Sequence, residues 1–300
     1  MSIRSRTINP EEIEQERYPF RRVWPSIIAE MAALFGICAA VYFATRLLNI
    51  ELTGVSLLAV EFALIAAPIV LWVIFSLMRE RAADIPRSRL LIVMIVSLLA
   101  ANAITVPLSN ALFQTSAWLP HEASIQRIIG YAFTLGAAQA VTQYMVVYYT
   151  TYPRALRVRA DTIAYFSTAS VGYAAVLNLH FILDSGTILD VLALTVFANQ
   201  AISLAMSFLL AFGLGEVRFA SPTPFLMAVM AALSALVYGV ITTLRSGLVN
   251  GGFSLAGGAA SPLFGFVFTA VVLVAVGIVI AFFFRTAERR EEEAALAQSP

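Results

Sequence analysis

The chain has 300 residues, 60% of them hydrophobic and only 12% charged, with a mean hydropathy of +0.85. Soluble domains run at about 45–50% apolar and about 25% charged, so an ordinary soluble domain is excluded and a polytopic membrane protein is indicated. A net charge of +1, with no basic stripe interleaved with aromatics, carries no nucleic-acid signal.

Residues 1–25 form a charged N-terminal segment. Within it, EEIEQERYPFRRVW at 11–24 mixes charges with Tyr18, Phe20 and Trp24, a composition suited to the headgroup layer. The same aromatics would also serve a docking segment for a partner. No small-residue cleavage site follows, unlike a secretory signal peptide, so the first helix is expected to be retained.

Residues 26–285 read as a single transmembrane domain. Spanning the roughly 30 Å hydrocarbon core takes about 20 mostly apolar residues. Eight stretches qualify, near 26–49, 53–78, 89–110, 127–151, 161–183, 188–213, 222–245 and 261–285. The loops between them are too short for a soluble domain. The Gly-rich stretch Ser246–Ser261 is expected to be flexible or to dip back toward the membrane. Residues 286–300, TAERREEEAALAQSP, read as a charged tail that starts as a frayed helix and becomes disordered.

Every basic residue is an arginine, and all but Arg46, Arg127 and Arg245 fall in the two tails and the loops on their side. Positive charge near helix ends is retained on the cytoplasmic side, so both termini are expected there, in agreement with an even helix count. The expected location is a bacterial plasma membrane. The single cysteine, Cys38, leaves no intramolecular disulfide or Cys-rich metal site.

Small residues recur at close-packing spacings, as in Gly136-x-x-x-Ala140 and the face Ser167, Ser170, Gly172, Ala174, Ala175. In lipid such faces let helix backbones approach, within the chain or against a partner subunit. Ionisable residues inside spans are functional candidates by default. Glu61 is the deepest, read as a protonated or Arg46-paired carboxylate joining the first two helices, or as a proton or cation handler. Glu30 is placed to interact with the positive N-terminal end of helix one. Asn102, Asn110, Asn178, Asn199 and Gln200 read as ties between helices. His180 reads as an interhelical hydrogen bonder, with ligation of a pigment or porphyrin as the alternative. With two histidines and no His-x-x-x-His, no zinc-type spacing is present, and no cofactor is expected.

Two segments carry a motif frame. GAAQAVTQYMVVYYTTYP starts at Gly136, and ADTIAYFSTASVGYAAVLNLHFIL starts at Ala160. They resemble the two core helices of the PrsW family of glutamic intramembrane proteases, within the CAAX-protease-like (Abi) superfamily. That family carries Glu-Glu-x-x-Lys on the first helix and Phe-x-x-x-Glu-Asn on the second. The matching positions are Gln139, Ala140 and Gln143, then Tyr173, Leu177 and Asn178. Anchored on Tyr152-Pro153, the frame also matches Asp161, Tyr165 and Gly172 without a gap. A later family histidine falls near Ser203, with Asn199 or Gln200 as other registers. A His-Gly-x-x-Asp motif falls on Tyr238 to Thr242.

The resemblance covers about a third of the chain, Gly136 to Thr242, and implies a PrsW-like core in helices four to seven. It also implies lost chemistry. A general base must accept a proton near working pH, and losing one acid–base group forfeits about 10²–10⁴ in rate. Gln139 can hydrogen-bond a water but cannot take its proton, and Ala140, Leu177, Tyr238 and Thr242 supply no acid or base in the needed range. No catalytic residue is therefore assigned. The resemblance implies a pseudoprotease that acts as an accessory subunit or holds a transmembrane segment. Residual proteolysis by a rearranged site using Glu61 or His180 is the alternative, and small-molecule binding or transport a further one.

Overall fold

A computed structural model describes residues 23–48, 52–78, 88–185, 188–220, 225–249 and 261–297. Every regular element among them is helical. Apolar residues run all round most of these helices, so the backbone closes its hydrogen bonds internally and the side chains suit hydrocarbon or other helices.

Helix α1 spans Val23–Leu47. Helix α2, Val55–Trp72, carries Pro68 and continues into a wider π-helical turn, Val73–Met78. Helix α3 starts as Ser88–Ala100, widens at Ala101–Thr105 and Leu108–Phe113, and stops at Gln114, whose φ of 45° is left-handed. Helix α4 runs Ser124–Tyr131, a π-helical turn Ala132–Gly136, then Ala137–Thr151. Helices α5, α6, α7 and α8 are Arg159–Ser185, Leu189–Phe219, Leu226–Val249 and Pro262–Ala297.

Seven of these helices are long and apolar enough to cross a membrane: α1, α2, α3, α5, α6, α7 and α8. The expected span at 127–151 does form a helix, α4, but it falls outside that set. Gln139, Thr142, Gln143 and a run of tyrosines lower its hydropathy. The remaining differences lie at helix ends. Helix α6 continues to Phe219, past the expected 213, and α7 includes Ser246–Val249 from the stretch read as flexible. Helix α8 stays helical through Ala297, where a fraying tail was expected from 286. Residues 1–22 of the expected interfacial segment and 250–260 of the Gly-rich stretch lie outside the described residues.

The core is built around α5 and α6, which pack along each other. Helix α6 is buried almost without interruption from Leu189 to Gly215, with α1, α7 and α8 around it, while α2 and α3 cover α5. At the start of α1 the Trp24 ring packs against Phe208 at 5.2 Å and Phe284 at 6.5 Å. Cys38 is buried in the same core.

The small-residue faces are used within the chain. A Cβ added to Gly172 of α5 would lie 2.3 Å from the Met94 carbonyl oxygen of α3. One added to Gly136 would lie 2.6 Å from the Ala235 oxygen of α7. Ala140, Ser170, Ala174 and Ala175 are all buried. Since these faces already hold the chain's own helices together by close backbone approach, they are not free for a partner subunit. Polar ties add to the packing: Trp72 Nε1 donates to Thr168 Oγ1 at 3.1 Å, and Ser97 Oγ to the Ala169 carbonyl at 2.6 Å.

The two carboxylates singled out in the sequence have other surroundings than expected. Arg46 does not pair with Glu61; its Nε lies 2.7 Å from Asp190 Oδ2. The last turn of α1 meets the first turn of α6, where Asp190 also accepts the Val191 amide at 2.7 Å. Glu61 is buried, at 8% exposure, with no ion pair among the described residues. Glu30 is buried and accepts a hydrogen bond from Ser76 Oγ at 3.4 Å.

Asp190 is 3% exposed and Arg46 57%. Removing the partner of a buried charge costs about 3–5 kcal/mol and an exposed pair contributes about 0–1, so a half-exposed pair lies between. Arg46→Ala is expected to cost about 2 kcal/mol in detergent unfolding, and Asp190→Asn, which keeps an acceptor for the Val191 amide, less. An Arg46→Ala protein as stable as the wild type would show the pair to be solvent-screened.

Candidate functional site

Gln139 and Gln143 sit one turn apart on α4, a spacing that puts both amides on the face turned to α6. Both are buried, and both donate to one hydroxyl: Gln139 Nε2 to Ser203 Oγ at 3.0 Å and Gln143 Nε2 at 2.8 Å. Ser203 Oγ in turn lies 3.3 Å from the Ser170 carbonyl of α5. Ser207, one turn further along α6, donates to Gln143 Oε1 at 3.1 Å. Gln200 Nε2 reaches Ser170 Oγ at 3.3 Å. Three helices are thus tied by one neutral hydrogen-bonded cluster, buried among apolar side chains where unmet polar groups are costly.

A second polar layer lies beside it, toward the end of α5. Asn199 Nδ2 donates to Asn178 Oδ1 at 2.9 Å, and His180 Nε2 lies 3.0 Å from Asn102 Oδ1 of α3. A cavity of about 100 Å³ opens between α3, α4, α5 and α7. Gln139, Tyr173, Leu177, His180 and Tyr238 line it, together with Thr105, Ser109 and Asn110 from α3. That volume holds several waters, and the lining offers hydroxyls and amides enough to bind them.

No known family, curated protein or solved structure matches the chain. The chemistry of the site therefore rests on its own geometry.

The structure brings together most of the positions that the motif frame singled out. Gln139, Gln143 and Ser203 share hydrogen bonds, and Gln139, Leu177 and Tyr238 line the cavity. Ser203, not Asn199 or Gln200, is the α6 residue that faces Gln139. Ala140 is buried beside them, and Thr242 lies half-buried one turn after Tyr238. Asn178 is buried but turns to Asn199 instead. Glu61, on α2, does not line the cavity.

The cavity walls carry one imidazole and two phenols but no carboxylate. The one basic side chain on the walls is His180, and it is engaged with Asn102. Among the described residues, no three His, Cys, Asp or Glu side chains gather as metal donors.

Sequence reasoning missed Ser207 and the α3 contribution. Ser207 follows Ser203 at helical spacing, which is a usable signal. Asn110, a tie between helices in the sequence reading, lines the cavity, while Thr105 and Ser109 gave no signal, because which helix closes the cavity is a matter of lateral packing.

Proposed function

We propose that this chain is a catalytically inactive, PrsW-like integral membrane protein of a bacterial plasma membrane, with both termini cytoplasmic and its PrsW-like core in α4 to α7. It serves by contact, as an accessory subunit of a membrane complex or as a holder of another protein's transmembrane segment. One observation carries this reading: the positions corresponding to the family's acids and bases converge in space, and what converges there is a neutral cluster of amides and hydroxyls centred on Ser203. A scaffold that keeps this geometry without ionisable groups is suited to holding helices and not to splitting water. Contact with a partner uses surfaces other than the small-residue faces, since these are already filled. The transport reading needs a continuous hydrated path, and the described cavity is a local one of about 100 Å³.

The test has two arms. Purification in mild detergent after cross-linking in the native membrane is expected to recover the same membrane protein reproducibly. Turnover of candidate membrane substrates in liposomes is expected to stay at background for wild type, His180→Ala and Glu61→Gln alike. A monodisperse monomer without partners across growth conditions removes the contact role. Turnover abolished by either substitution replaces it with a rearranged protease.

A further inference from the structure

Among the described residues, Arg46, Arg127 and Arg245 are the arginines at the end of the bundle where α1 and α7 stop and α4 starts. Arg46 has its carboxylate in Asp190. Arg127 and Arg245 have none among the described residues. The segment after α7, residues 250–260, contains no acidic residue that could supply one.

These two arginines are nonetheless brought to one place. Helices α4 and α7 cross in close contact: a Cβ on Gly239 would lie 2.3 Å from the Ile128 carbonyl oxygen and 3.0 Å from the Ala132 nitrogen. Arg127 precedes Ile128, and Arg245 lies fewer than two turns beyond Gly239. Tyr131 follows Arg127 by one turn on the same face of α4, and Tyr238 precedes Arg245 by two turns on the same face of α7. Arg127 Nε is shielded from solvent and has no hydrogen-bond partner. The stem of Arg245 is held from the other side by α8, where a Cβ on Gly265 would come within 3.0 Å of Arg245 Cγ.

Two partly desolvated like charges repel, and the repulsion grows as the local dielectric falls. Ionisable groups at membrane depth persist where something pairs them. Guanidinium forks match phosphate oxygens in charge and geometry, and phenol hydroxyls add donors.

We propose that Arg127 and Arg245, with Tyr131 and Tyr238, form a binding site for a phosphate-bearing anion. At a bundle end flanked by the exposed apolar side chains Ile129, Phe133 and Phe264, the phosphate is that of a phospholipid headgroup, with free inorganic phosphate as the other source of the same chemistry. The site shares only Tyr238 with the cavity and stands whether or not the contact role proposed above does.

The full chain, delipidated in a neutral detergent, is to be followed by thermal unfolding with added phosphatidylglycerol, with diacylglycerol lacking the phosphate, and with inorganic phosphate. A ligand that binds the folded state raises the midpoint in proportion to its affinity. Phosphatidylglycerol is expected to raise it and diacylglycerol not. Arg127→Gln and Arg245→Gln are each expected to weaken the apparent affinity about fivefold, the effect of one arginine near a charged headgroup. Arg127→Lys, which keeps the charge but loses the fork, should fall between the wild type and Arg127→Gln. A rise with inorganic phosphate at matched concentration assigns the site to a free anion, and its absence assigns it to the lipid. No rise with either phosphate, or an equal rise with diacylglycerol, overturns the proposal on the wild type alone. An undiminished rise in the folded double variant does so as well.

Discussion

Gly172→Ala is expected to destabilise the protein by about 2–3 kcal/mol, and Gly172→Leu to prevent recovery of a folded, monodisperse chain. The added Cβ would stand 2.3 Å from the Met94 carbonyl oxygen and 3.2 Å from the Leu98 nitrogen. Both are backbone atoms of α3, so no side chain can swing aside to make room. Relief requires α3 and α5 to separate, which loosens the Ser97 to Ala169 bond and the packing along the most buried part of α5. Overpacking a close interface costs about 1–3 kcal/mol even where neighbours relax, and here they cannot. Gly36 provides the control, since an added Cβ there meets nothing within 4 Å. In a helix interior, Gly36→Ala should stabilise by up to about 1 kcal/mol through propensity alone. Equal effects of the two alanine substitutions in detergent unfolding would show that α3 and α5 do not touch through Gly172.

The contrast between these glycines also marks what the sequence could tell. Hydropathy reports how long a helix is and how apolar it is, so the helices themselves were legible: the stretch expected at 53–78 is Val55–Met78, and that at 261–285 corresponds to the first part of α8, from Pro262. The one span that the same property fails to support is α4, for the same reason that makes it interesting: its glutamines. Gln139 and Gln143 stand out in the sequence only through the motif frame, and the structure adds that they share the face turned to α6. What was not legible is lateral. Nothing in the chain says that Gly172 meets Met94 while Gly36 meets nothing, or that Arg46 turns to Asp190 and away from Glu61. Charge pairing in a helical bundle depends on which ends lie side by side, and residues of opposite sign close in sequence are not thereby close in space. For the same reason Arg127 and Arg245, far apart in the chain, gave no sign of sharing a site.

Ser203→Ala is the substitution that separates a structural cluster from a catalytic one. Ser203 Oγ accepts from both Gln139 and Gln143 and faces the Ser170 carbonyl, so its loss leaves two buried amide nitrogens without their acceptor. A buried donor left unmet costs about 1–3 kcal/mol, whereas interhelical hydrogen bonds in membranes average only about 0.6, because side chains find other partners there. Gln143 keeps Ser207 on its carbonyl oxygen, which holds its amide nitrogen in place and prevents that rearrangement. A net loss of about 2 kcal/mol is therefore expected. Gln143→Leu together with Ser203→Ala should lose less than the sum of the two single changes, because removing donor and acceptor together leaves fewer groups unmet. A double-mutant cycle in detergent unfolding reads that coupling, expected at about 0.5–3 kcal/mol for groups in one network. If the two changes add without coupling, the hydrogen bonds at Ser203 do not hold α4 to α6. If Ser203→Ala leaves stability intact but abolishes turnover of a membrane substrate, the cluster is chemistry after all. Coupled loss of stability with turnover at background throughout is the result that a neutral, closed cluster requires.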